Sequence, residues 1–134
     1  MHVQQIWHPE HIASSELFEA LSLGLTSGKY SELLRGYATK NGASTPKQPI
    51  HIHSGSLDGA AYHHGHQYLV YTCGDPAITL EHCTMSENER EHAAIEYLHL
   101  QGLGLIVVAV ASGTASQPNQ LPKLTLMGYI GISI

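Results

Sequence analysis

Five histidines fall within sixteen positions, at His51, His53, His63, His64 and His66. Imidazole is the commonest metal-ligating side chain and the one that titrates near neutrality, so the cluster points to metal binding, proton transfer or a response to pH. His51-x-His53 carries the most information. Residues two apart on a strand project to one side, where a single cation can bridge two rings. Two imidazoles make half a site, and His63, His64, His66, His82 or Asp58 would have to complete it. The leading expectation places a divalent metal (zinc, iron or manganese) on His51, His53 and His66. His66 and His82 would act as acid and base, and Asp58 would orient an imidazole as an outer acceptor. The competing expectation is that His51 and His53 form a solvated face, with Ile50 and Ile52 supplying the core face.

The segment His51-x-His53 with Asp58 and Gly65 resembles the first metal motif of the cupin family over about fifteen residues. It departs from that pattern in having Asp where Glu is usual, no glycine at the preceding position and no second motif. No property of the family is carried over. A His-Ile-His strand followed by Tyr97 on a helix is similar to nucleases that cut single strands through a tyrosine, and the acidic balance of the chain argues against that chemistry. Glu89-x-x-His92 and Glu96-x-x-His99 resemble the ligand pairs of di-iron helical bundles. Without further helices to complete such a bundle, His92, Glu96 and His99 read as a solvated stripe.

The elements that must hold these residues follow from periodicity and turn chemistry. His2 to Trp7 reads as a short strand, Pro9 to about Leu23 as a helix, and a helix capped by Ser27 carries the stripe Tyr30, Leu33, Leu34 and Tyr37 up to Gly42. Residues 43 to 49 form a connection, Pro49 to His53 a strand, and Ser54 to Gly65 a Gly-rich turn region. Gly74-Asp75-Pro76 reads as the turn of a hairpin between His66 to Cys73 and Ala77 to Cys83. That register opposes Tyr68 to His82 and sets His66 diagonally across from His82 at the mouth of an apolar face. It also keeps Cys73 and Cys83 apart, as free thiols.

Ser86 and Glu89 form a capping-box pattern that opens a helix from Glu87 to about Gln101. Leu105 to Ala111 reads as a central strand and 112 to 122 as a polar loop. The last strand keeps period two through Leu124, Leu126, Ile130, Ile132 and Ile134. The order predicts a single α+β domain, a largely antiparallel sheet with helices packed on one face.

Length and composition bound the function. The 134 residues suit one domain, 13% are charged, and the formal charge is −5 with no run of Lys or Arg, which argues against nucleic acid as a partner. The opening residues lack the pattern of a secretory signal, and the longest apolar run, Leu103 to Ala111, is too short for a membrane span. A cytoplasmic protein is expected. Two functions compete: a divalent-metal-dependent hydrolase or proton-transfer enzyme acting on a small molecule, and a non-enzymatic homo-oligomer that binds a small ligand or serves as an adaptor. The apolar last strand, taken as an unpaired edge, supports the homo-oligomer.

Overall fold

The computed structural model describes residues 1–26, 28–43, 48–54 and 57–134. The cap expected at Ser27 and most of the 43–49 connection lie outside those residues. Six strands, β1 (His2–Trp7), β2 (Ile50–Ser54), β3 (Leu57–His64), β4 (Gln67–Gly74), β5 (Ile106–Ala115) and β6 (Thr125–Ser133), form one sheet in the order β1-β6-β5-β4-β3-β2. Every neighbouring pair is antiparallel. The helices are α1 (Ser14–Gly24), α2 (Ser31–Lys40), α3 (Pro76–Glu81) and α4 (Glu87–Gly102). This is an α+β domain built on an antiparallel sheet.

The helices, expected on one face, divide between two, and β5 shows why. Its apolar residues do not alternate with polar ones as they would with one face in water. Val110, with Ile106 and Val108 beside it, packs against Leu17, Phe18, Leu21 and Leu34 of α1 and α2. Ala109 and Ala111 face the other way, into a cluster with Ala93 and Leu100 of α4. The stripe Tyr30, Leu33, Leu34 and Tyr37 lies in the first cluster, as its spacing requires.

Period two fails in β6. Val110 pairs with Gly128 and Ala111 with Leu126, so Met127 is an extra residue that switches the face of the strand. Leu124 and Leu126 therefore pack toward α4, whereas Ile130 and Ile132 pack toward α1. Gly128 is required there: a Cβ would collide with the Trp7 carbonyl oxygen and come within 3.1 Å of both Leu17 Cδ atoms. Nor is β6 an edge, because it lies between β1 and β5. The argument for a homo-oligomer built on its exposure therefore falls.

The expected hairpin at Gly74-Asp75-Pro76 is also absent. Pro76 opens α3, and the Asp75 carboxylate accepts from the Ile78 amide at 3.2 Å. An acidic cap followed by proline at the first helical position starts a helix as readily as a turn. The hairpin partner of β4 is β3, in the stretch read as a turn region, and the two-residue turn Gly65-His66, with Gly65 at φ +64°, makes the reversal. Its Gly-Ala-Ala run is a close-packing signal. Ala60 and Ala61 have no exposure, and a Cβ at Gly59 would strike the Tyr71 carbonyl.

The best-formed local signal is the start of α4. Ser86 Oγ accepts from the Glu89 amide and Glu89 Oε1 accepts from the Ser86 amide, both at 3.1 Å. Among the described residues no helix is long and apolar enough to cross a membrane. Gly128→Ala is expected to lower unfolding stability by about 1–3 kcal/mol through overpacking. Gly102→Ala, where nothing lies within 4 Å of the added carbon, should be neutral or slightly stabilising. Urea denaturation of both variants checks the contrast.

Candidate functional site

The histidine-rich stretch folds into an edge strand, an adjacent strand and the turn after it. His51 and His53 are exposed on β2, opposite Ala60 and Asp58 of β3, while Ile52 points the other way and is 6% exposed. His53 Nδ1–H donates to Asp58 Oδ1 at 2.6 Å, which leaves Nε2 free. His63 pairs with Tyr68 of β4, whose hydroxyl oxygen is hydrogen-bonded to His63 Nε2 at 3.2 Å. By strand alternation His63 lies on the opposite face of the sheet from His51 and His53. His64 and His66 flank Gly65 in the exposed turn.

His82 does not oppose Tyr68. Across β5, Tyr68 pairs with Ala115, and His82 instead ends α3, its carbonyl accepting from the Leu124 amide at 2.8 Å. The diagonal contact expected between His66 and His82 depended on a hairpin that the chain does not form. Among the described residues no three His, Cys, Asp or Glu side chains form a group that could hold a metal ion.

A different set of titratable residues gathers around a groove of about 420 Å³ between the exit of β1 and the first half of α4. One wall is Trp7, His8 and His11; the other is Glu89, His92 and Glu96. The first wall exists because the chain does not enter a helix at Pro9. The Ile12 amide donates to the Pro9 carbonyl at 3.0 Å, closing a turn, and α1 begins only at Ser14. Trp7 stacks on Tyr129 with centroids 5.1 Å apart and planes at 29°. Tyr129 is completely buried, and its hydroxyl donates to the Ala93 carbonyl of α4 at 2.9 Å. The indole is therefore held against a fixed support.

The carboxylates differ in role. Hydrogen bonds from the Ser86 backbone and side chain, with nearby His11, hold Glu89 below the usual carboxylate range, so it is ionised and committed to the helix cap. Glu96 is on the inward side of α4, half-buried, 3.7 Å from His99 Nδ1, and it adds a small contribution to the rise in the Tyr129 phenol pKa that burial mainly causes. It is the anion best shielded from water in the groove. Met85, Ile95 and Leu126 add apolar lining. His92 and His99 are exposed, as the solvated-stripe reading of His92, Glu96 and His99 expects; that His92 and Glu96 also line a groove is not legible locally, because the opposite wall is some eighty residues away. The only local signal was an aromatic ring and two imidazoles around a proline, Trp7-His8-Pro9-x-His11.

The two thiols are free, and they belong to clusters on opposite faces of the sheet. Burial, with Asp58 nearby, pushes Cys73 up to about 12, and burial outweighs Arg90 to push Cys83 up to about 11. The thiolate is the nucleophile, so neither can serve as one at neutral pH. Folded protein at pH 8 is expected to react with a thiol-specific chromogenic disulfide at least tenfold more slowly than urea-unfolded protein. Fast labelling of either residue in the native state would contradict that placement.

Compared with models of known protein families the sequence matches none, and no curated protein shows significant similarity to it.

Proposed function

We propose that this chain is a binding domain for a small organic cation with an apolar or aromatic body, received in the groove between β1 and α4. The observation that carries this reading is the pairing of a braced indole face, Trp7, with the half-buried Glu96 carboxylate across one concave site. A ring face attracts a cation, and a shielded carboxylate favours it more than one in open water would. The groove volume lies within the range of small-molecule sites.

Trp7 is the only tryptophan in the chain, so its fluorescence reports on the groove alone. Phenethylamine is expected to change Trp7 emission saturably, and uncharged 2-phenylethanol to bind at least tenfold more weakly. Glu96→Gln should weaken phenethylamine by roughly tenfold, the scale of one lost charged hydrogen bond. Equal affinity for amine and alcohol would overturn the proposal.

The metal-dependent hydrolase or proton-transfer reading keeps one supporting observation, the contact between His53 and Asp58, which orients Nε2 of a strand-edge imidazole. In that reading His51 and His53 bind a divalent cation, His66 is the third ligand and His82 the acid or base. It requires His66, in the β3–β4 turn, and His82, at the end of α3, to reach the β2 edge. Elemental analysis of protein purified without a nickel column tests it. Near-stoichiometric zinc, iron or manganese that is lost in both His51→Ala and His53→Ala supports the reading, and metal-free protein that ignores added zinc removes it.

A further inference from the structure

The groove has a neighbour of opposite charge. Across the Thr84 and Met85 segment, which borders both, lies a second recess of about 460 Å³. Arg90, Lys123 and His82 line it, with Glu81 as its acidic member. The chain has only six Lys and Arg and a net charge of −5, yet two of those six meet here.

Arg90 is fixed in place. One terminal nitrogen donates to the Leu80 carbonyl at 3.0 Å and the other to the Cys83 carbonyl at 3.1 Å, so the guanidinium spans the end of α3. A guanidinium has five N–H groups, and three remain after these two bonds. The opposite rim is equally well held. Thr84 donates to the Leu124 carbonyl at 2.9 Å, Leu124 to the His82 carbonyl at 2.8 Å, and the Lys123 carbonyl sits so close over Gly113 that a Cβ there would approach it to 2.7 Å. Among the described residues neither Arg90 nor Lys123 forms an ion pair. Two cations on ordered backbone, neither held in an ion pair and together outnumbering the one carboxylate of the recess, are arranged to receive an anion.

We propose that this recess binds an oxyanion, the phosphate or carboxylate group of a small molecule, with Arg90 and Lys123 as its donors. Arg90 also holds α3, so Lys123 is the residue to vary. Proton–nitrogen NMR titrations at constant ionic strength, with inorganic phosphate in one arm and acetate in the other, follow the Arg90 Nε–H signal. Saturable shifts are expected in at least one arm, weakened about fivefold in Lys123→Gln and restored within about twofold in Lys123→Arg. Saturation by phosphate alone identifies a phosphorylated ligand, and saturation by acetate a carboxylate. Shifts that do not saturate in either arm, or that are unchanged in Lys123→Gln, overturn the proposal. Phenethylamine binding to Lys123→Gln reports separately on the groove, so loss of one site is distinguishable from loss of the other.

Discussion

A fully buried phenol has one hydroxyl to satisfy, and how Tyr129 satisfies it organises one whole side of the molecule. An unpaired buried hydroxyl costs on the order of 1–3 kcal/mol, so its partner is tightly specified. That partner is the Ala93 carbonyl in α4, which ties the helix to β6, the strand most buried in the sheet. Trp7 stacks on the same ring, and Tyr97 approaches it from α4 at 6.2 Å. Both walls of the groove are thereby referred to a single side chain. The concavity follows from the distance between β1 and α4 that this contact sets.

The bulge at Met127 is what permits Tyr129 to face α4 at all. Before it, Leu126 points to the α4 side; if the same residues ran on with no bulge, strict alternation would carry Gly128 to that side and turn Tyr129 toward α1. With the extra residue, Tyr129 faces α4 while Ile130 and Ile132 serve the cluster around α1 and α2. Gly128 lets Leu17 and the Trp7 carbonyl close over the irregularity. One inserted residue thus assigns apolar side chains to two layers and aims the tyrosine that supports the groove.

Charge is distributed with similar economy. The segment from His82 to Met85 leaves α3 and enters the cap of α4, with carboxylates gathered on one side of it and Arg90 with Lys123 on the other. The histidine-rich edge lies apart from both recesses, with His53 held to Asp58 and His63 to Tyr68. Three separate chemical environments therefore occupy one small domain, and the two concave ones share Thr84 and Met85.

Elements whose signals are local were legible in the amino-acid sequence. The Ser86/Glu89 capping box opens α4, the Tyr30 to Tyr37 stripe faces the core, the β5 run is a central strand, and the α+β class follows. The alternation that put His51 and His53 on one side of β2 was local too. Tertiary structure decided the rest, because the deciding contacts join distant residues. Gly74-Asp75-Pro76 suits a hairpin turn or a helix cap, and β4 took β3 as its partner, leaving Asp75 to start α3. Period two held within each half of β6, but only pairing with β5 reveals the extra residue between them. Trp7, His11 and Glu96 become neighbours of one groove through the packing of Tyr129. No spacing along the chain encodes that meeting, since a site assembled across a sheet is set by register and packing.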